Sequence, residues 1–178
     1  MRTPAFSFLP STDEDLQSMT GSLTINGEVK NPVVLTWQQL RDLHVDWQCV
    51  DIAPLVPGRT GEAVTLAGLI ALVEPQADVD YIGLHADRDD FHASIPLSEI
   101  AERGLLVHSI DGQPLDSAGG GPYRFYIRDF AACQAAEVDE CANVKFLDRM
   151  EFTVGKGHDN RPEDEESHQA LHDSEHAS

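Results

Sequence analysis

Three cysteines are the side chains of this 178-residue chain best suited to metal or redox chemistry. They are Cys49, Cys133 and Cys141, and their odd number argues against a disulfide framework. Each thiol is therefore a buried apolar filler, a reactive nucleophile or a metal ligand. For Cys49, next to Val50 in a strand-like segment, the filler and ligand interpretations both stay open.

Two further groups of residues are candidate zinc ligands. Cys133 and Cys141 are eight residues apart, which would put both thiols on one face of a helix. That spacing does not match a structural zinc pattern, so zinc is not expected there. His168, His172 and His176 recur every four residues, and a helix would align them for a divalent ion. Because little apolar surface would support that helix, we expect a solvated tail.

Composition excludes several classes of function. The formal net charge of −19 argues against nucleic acid, whose phosphates require Lys and Arg, and against an anionic membrane surface. No stretch approaches a membrane span or a signal-peptide core, so we expect a cytoplasmic protein. There is no Gly-rich nucleotide loop and no Gly-x-Ser-x-Gly nucleophile turn.

Local patterns indicate which elements position these residues. Thr36 and Gln39 form a capping-box pattern that begins a helix. Cys49 falls in a strand expected at 47–51. Strands outnumber helices without regular βαβ spacing, so we predict an α+β fold, with mixed β-sheets forming a barrel or sandwich and short peripheral helices. Further strands are predicted near 23–25, 29–34, 81–84, 91–95, 105–107, 123–127, 144–146 and 150–154, and further helices at 66–73 and 97–103.

The chain divides into three parts by composition. Residues 1–20 are expected to form an N-terminal arm, 21–155 the globular domain, and 156–178 an acidic, His-containing disordered tail. On that division, deletion of the residues after Gly157 should leave the melting temperature nearly unchanged.

A series of short motifs runs along residues 21–155, and only their order is distinctive. It comprises Gly27-Glu28-Val29-Lys30-Asn31-Pro32, Leu35-Thr36 with Asp42-Leu43, the strand of Cys49, the 61–70 helix, Asp90-Phe91-His92-Ala93-Ser94-Ile95-Pro96-Leu97, Asp111-Gly112-Gln113-Pro114-Leu115, Gly120-Gly121-Pro122-Tyr123-Arg124, and Val144-Lys145-Phe146 with Met150-Glu151-Phe152-Thr153. This order resembles the molybdopterin-binding domain of sulfite oxidase-like oxidoreductases.

The resemblance implies a molybdenum–molybdopterin cofactor with a cysteine thiolate on the metal, and oxygen-atom or two-electron transfer. Cys49 matches the position of that catalytic, metal-binding cysteine. Lys145 and Arg124 are the implied cationic contacts of the pterin phosphate, and Asn143 and Val144 offer backbone groups from the same turn. Because the sequence has no haem or iron–sulfur motif, a redox partner protein is also implied.

Departures from the family pattern leave a second function open. Asp51 follows the cysteine, and 128–141 is acidic where a phosphate pocket should be basic. The chain is therefore either a small molybdopterin-dependent oxidoreductase or cofactor-binding subunit, or a cofactor-free relative that acts as a protein-binding module. In the second case Arg124 is a strand residue paired with a carboxylate. His92, a lone histidine, is expected at the surface.

Overall fold

The computed structural model describes residues 21–129, 133, 138 and 142–161. The strands are β1 (Ser22–Gly27), β2 (Val33–Thr36), β3 (Gln48–Cys49), β4 (Glu62–Thr65), β5 (Tyr81–Ala86), β6 (Phe91–Pro96), β7 (Gly104–Ile110), β8 (Gln113–Pro114), β9 (Arg124–Ile127) and β10 (Arg149–Thr153). The helices are α1 (Trp37–Arg41), α2 (Leu66–Val73) and α3 (Leu97–Ile100), with 3₁₀ turns at Val45–Trp47 and Asp87–Asp89.

The first sheet joins the beginning and the end of the described chain. Its strand order is β2-β1-β10-β5-β6, and β1 lies parallel to β10 while the other neighbours are antiparallel. Side chains alternate between its faces. Leu23 and Phe152 point into the main core, whereas His85 and His92, which are cross-strand partners, lie on the opposite face.

The second sheet is organised around β7. Strand β4 pairs with it on one side and β9 on the other, giving the order β3-β4-β7-β8 with β9 attached to β7. Leu106 is the partner of both Val64 and Phe125, and all three belong to the main apolar core. That core also contains residues of the first sheet and of α2, so the two sheets share one interior.

This arrangement confirms the α+β prediction of mixed sheets with few, short helices. The strand pairings of the described residues do not close either sheet into a barrel. No helix in the described part of the chain is long and apolar enough to cross a bilayer.

The capping box at α1 is confirmed. Thr36 Oγ1 accepts from Gln39 N–H, and the Gln39 side chain accepts from Thr36 N–H at 2.9 Å. The strand of Cys49 is shorter than predicted, because the 3₁₀ turn Val45–Trp47 occupies the residues before it. The strand predicted at 144–146 does not form, because Phe146 adopts the left-handed region with φ of 56°.

Residues 155–161, which we call the strap, lie along the free edge of β6, and the described contacts thus continue past the expected boundary at residue 155. Asn160 N–H donates to His92 O at 3.0 Å, and the Asn160 side chain accepts from His92 N–H at 2.8 Å. Asp159 accepts from Ser94 N–H and forms an ion pair with Arg161 at 2.7 Å, with both side chains less than 10% exposed. Residues 162–178 lie outside the described residues.

Truncation tests the strap directly. Deleting the residues after Gly157 removes Asn160 and the Asp159–Arg161 pair. Contrary to the expectation from composition, we therefore expect the free energy of unfolding to fall by about 2 kcal/mol, because several backbone hydrogen bonds of β6 are lost. Deleting the residues after Arg161, which keeps all of these contacts, is the matched control. Urea denaturation of the two proteins compares them, and equal stability would contradict the structural role of 158–161.

A second buried polar group lies where α1 meets β7. Trp37 Nε1 donates to Ser109 Oγ at 2.9 Å, and His108 Nδ1 lies 2.7 Å from the same oxygen. His108 is 1% exposed, and its Nε2 makes no hydrogen bond with any described residue. Burial, assisted by the charge of Arg41, lowers the pKa of His108 from 6.5 to about 4. The imidazole is therefore neutral in the folded protein at neutral pH.

This burial predicts acid sensitivity. Because the unfolded chain binds a proton at its ordinary pKa of 6.5, the stability that depends on neutral His108 is present above that pH and is lost as the pH falls toward 4. His108→Gln should reduce the slope of unfolding free energy against pH by up to about 1.4 kcal/mol per unit in this window. Equal slopes for wild type and His108→Gln would refute the assignment.

Candidate functional site

Cys49 lies at the outer edge of the second sheet. It is half-buried, and its thiol is 3.3 Å from the carbonyl oxygen of Asp51. The preceding residue, Gln48, points to the opposite side, where its amide donates to the carbonyl oxygen of Leu40 at 2.9 Å. This bond fixes the orientation of the short strand β3, so the Cys49 side chain must lie on the other face.

A single row of cross-strand partners connects Cys49 to Arg124. Cys49 pairs with Ala63, Ala63 with Val107, and Val107 with Arg124. Direct partners project to the same face of a sheet. The thiol and the guanidinium therefore share one face, which we call the Cys49 face. The backbone positions of the two residues are about 14 Å apart, at three strand spacings.

A glycine turn positions Arg124. The Arg124 Nη1 donates to the carbonyl oxygen of Gly119 at 3.1 Å. Gly120 has φ of +84°, and a Cβ on it would meet Arg124 Cδ at 2.9 Å. Only glycine thus allows the arginine stem to lie against this turn.

Lys145 is placed next to this arginine by its neighbours in the chain. The carbonyl oxygen of Val144 accepts from Phe125 N–H at 2.8 Å, and Phe146 N–H donates to Gly120 O at 2.7 Å. The exposed Lys145 between them therefore lies beside β9 and the glycine turn. Four of the five residues suggested by the resemblance thus cluster around β9, while Cys49 lies three strands away.

The other two residues of this cluster have structural roles in the fold. The side-chain oxygen of Asn143 accepts from Ile127 N–H at 2.8 Å and so continues the pairing at the edge of β9. Val144 is buried in the main core, and its carbonyl oxygen is used by Phe125. Neither side chain is directed to the Cys49 face by these contacts.

Two residues of the Cys49 face were not identified from the sequence. Tyr126 lies on β9 two positions after Arg124, and the Arg124 guanidinium is 5.0 Å from the centre of its ring. The guanidinium of Arg59 lies 5.7 Å from the same ring. Both distances allow cation–π attraction. The sequence feature that could have pointed to Arg59 is the Pro57-Gly58 turn before it, which brings the 50–61 loop back over the sheet.

An apolar layer separates the thiol from the arginines. Ile52, Leu55 and Val56 of the returning loop pack against Ala63, Leu105, Val107, Leu115 and Tyr126, and Cys49 borders this cluster. The loop is fastened by Ile52 N–H, which donates to Gly61 O at 2.9 Å. An extended ligand that contacts both ends of the face must therefore pass over this layer rather than through it.

The carboxylate of Asp51 is directed into its own turn. Its Oδ1 accepts from Ala53 N–H at 2.9 Å, and the side chain is exposed. On the arginine side, Asp116 Oδ1 likewise accepts from Gly119 N–H at 2.6 Å. These acids therefore hold the loops that border the Cys49 face.

The remaining candidate residues from the sequence are the Cys133–Cys141 pair, the tail histidines and His92. Cys133 is half-buried, with its thiol 3.6 Å from Arg103 Nη1, whereas Cys141 and the histidines 168, 172 and 176 lie outside the described residues. Within the described residues, no three His, Cys, Asp or Glu side chains converge as a metal site. The expectation that His92 is a surface residue is wrong, because the strap and its strand partner His85 leave it 6% exposed.

The chain was compared with curated proteins and with solved structures. No curated protein matches the sequence. The crystal structure of the sulfane dehydrogenase SoxCD from Paracoccus pantotrophus is similar, with a TM-score of 0.55 and 18% identity. The match covers 78% of this chain and 39% of that chain, so the present sequence spans well under half of it. At this identity the likeness concerns the fold alone.

The sequence also matches a family profile described as the oxidoreductase molybdopterin binding domain, over residues 10–159. This match includes the strands of both sheets and the whole of the Cys49 face. It agrees with the resemblance that the motif order suggested. The chain therefore belongs to the oxidoreductase molybdopterin binding domain family.

Proposed function

We propose that this chain binds a molybdenum–molybdopterin cofactor along the Cys49 face and acts as a small oxidoreductase or as the cofactor-binding subunit of one. The observation that carries the proposal is the row from Cys49 to Arg124, which aligns a soft thiol with a cationic group on one face. Membership of the family supports the choice of cofactor.

The donor types at the two ends of the row suit the two ends of such a cofactor. A thiolate is a soft ligand for a metal that dithiolene sulfurs already hold. The cofactor phosphate is an anion, and a guanidinium offers it paired hydrogen bonds. Arg124 and Lys145 would hold the phosphate, while Cys49 would hold the metal.

Each residue of the face has a separate task. The bond to Gly119 O fixes the direction of the Arg124 guanidinium before any ligand binds, which lowers the entropy cost of binding. The apolar layer of Ile52 and its neighbours excludes water beneath the ligand and so strengthens electrostatic interactions there. The cofactor, when bound, supplies the redox chemistry, and the protein supplies orientation and charge.

Electron transfer requires a second protein in this proposal. The given sequence contains no haem or iron–sulfur ligation motif, so electrons from a two-electron reaction of the bound cofactor would pass to or from a partner. The exposed Val50 beside Cys49 is 86% accessible and gives such a partner an apolar contact next to the thiol.

The first test compares two half-buried cysteines. Expressed in a host that makes the cofactor, the wild-type protein should contain about one molybdenum per chain and show a thiolate-to-metal absorption band. Cys49→Ser should lose that band, and most of the metal, because an alcohol is a poor ligand for a soft site. Cys133→Ser should keep both.

Two results of this experiment would sink the proposal. One is wild-type protein with neither molybdenum nor pterin, which would favour the cofactor-free protein-binding module. The other is an unchanged absorption band in Cys49→Ser, which would mean that a different residue binds the metal.

The second test addresses the phosphate end. Arg124→Gln and Lys145→Gln should each loosen cofactor binding by about 10-fold or more, since a charge-assisted hydrogen bond contributes about 1.5–3 kcal/mol. Lys30→Gln is the control, because Lys30 is exposed and paired with Glu74 on a different part of the surface. Pterin released during dialysis, measured by its fluorescence after oxidation, reports retention; equal losses from all three variants would contradict the assignment.

A further inference from the structure

A buried pair of histidines lies on the outer face of the first sheet. His85 on β5 and His92 on β6 are direct cross-strand partners, and their Nδ1 atoms are 2.8 Å apart. They are 1% and 6% exposed. Two ring nitrogens at hydrogen-bond distance must share one proton, because two lone pairs facing each other repel.

The outer nitrogens of the pair decide where that proton lies. His92 Nε2 is 3.1 Å from Asp90 Oδ1 and donates to it, so His92 Nδ1 is the acceptor and His85 Nδ1 the donor. His85 Nε2 then carries a lone pair. It lies 3.4 Å from Glu151 Oε2 and has no hydrogen-bond partner among the described residues, so it is free to take up a proton beside that carboxylate. The neutral pair can therefore accept one proton at a buried position.

The strap covers the His92 side of this pair. The ring of His158 stacks on the ring of His92, with centroids 4.2 Å apart and planes at 25°. Asn160 exchanges hydrogen bonds with the backbone of His92, and Gly157 N–H donates to Ser94 Oγ at 2.9 Å. Hydration of the His92 ring from this side thus requires the strap to move.

We propose that the strap is a pH-sensitive clasp: proton uptake by the His85–His92 pair releases residues 155–161 from the edge of β6. An imidazolium needs hydration that the closed strap prevents. Lifting seven residues held mainly by hydrogen bonds to one strand costs less than opening the five-stranded sheet beneath, whose other face is packed in the core.

Charged groups around the pair both raise and lower the pKa of His85. Burial first, and then the charges of Arg149 and His92, lower the pKa of His85 from 6.5 to about 4, against the opposing charges of Glu151 and Asp87. The proton therefore binds the hydrated, released form first, and the closed form loses stability as the pH falls from 6.5 toward 4. The other charged or titratable groups on the elements packed around the pair are Asp90 after the 3₁₀ turn, Arg88 in it, Asp148 before β10, and Lys156, His158, Asp159 and Arg161 of the strap.

The clasp can be measured by amide hydrogen exchange on the full chain, corrected for the intrinsic effect of pH. The amides of His92, Ser94, Gly157 and Asn160 report the strap, and those of Val64 and Leu106 in the second sheet report global opening. In the wild type, protection of the strap amides should fall by up to about 30-fold between pH 7.5 and 5, if released His85 regains its ordinary pKa. Protection of the second-sheet amides should fall much less over the same pH range.

Matched variants separate the clasp from general acid unfolding. His85→Gln should remove most of the fall at the strap, whereas His108→Gln, an equally buried histidine outside the strap, should keep it. Asn160→Ala, which leaves the pair intact, should give low protection at both pH values. The proposal is overturned by a wild-type strap whose protection does not respond to pH, by an equal response in His85→Gln, or by full protection in Asn160→Ala.

Discussion

The alternation of side chains along β7 is the constraint on which the rest of the structure depends. Every position of β7 except the last is buried, so both faces of the strand must be covered. Leu106 turns toward the core shared with the first sheet, whereas Leu105 and Val107 turn to the apolar layer under the Cys49 face. A shift of one residue in its pairing would exchange these two sets. The relation between Cys49 and Arg124 is thus fixed by the packing of residues that do no chemistry.

Several acidic side chains of the described residues stabilise loops. Many carboxylates accept backbone N–H groups that no sheet or helix satisfies, which is a common use of short acidic side chains in turns. The examples are Asp51 with Ala53, Glu62 with Gly112, Asp80 with Gly155, Asp116 with Gly119, Asp148 with Asp87, and Asp159 with Ser94. A net charge of −19 is therefore compatible with a face that carries Arg59, Arg124 and Lys145.

Local signals in the sequence predicted local structure well. The capping box at Thr36, the position of Cys49 in a strand and the α+β class were all recoverable, because each depends on neighbouring residues. The pairing of strands distant in sequence was not. Arg59 and Tyr126 are 67 positions apart and meet only through the register of β4, β7 and β9. The burial of His92 depends on the strap, most of which belongs to the tail 156–178 whose acidic composition predicted disorder. The Asp159–Arg161 pair and the bonds to β6 instead hold residues 159–161 on the sheet.

Arg124 and the His85–His92 pair share one structural feature, a glycine that lets a long or flat side chain lie against the backbone. A Cβ on Gly120 would collide with the stem of Arg124, and a Cβ on Gly83 would collide with the ring of His85. In each case the side chain occupies the space that the missing Cβ leaves, and its rotamers are restricted by packing before any ligand or proton arrives. The arginine is thereby aimed along the Cys49 face, and the imidazole is held at hydrogen-bond distance from its partner on β6. The glycines thus order functional groups, and they do so at two places where the sheets alone would leave those groups free to rotate.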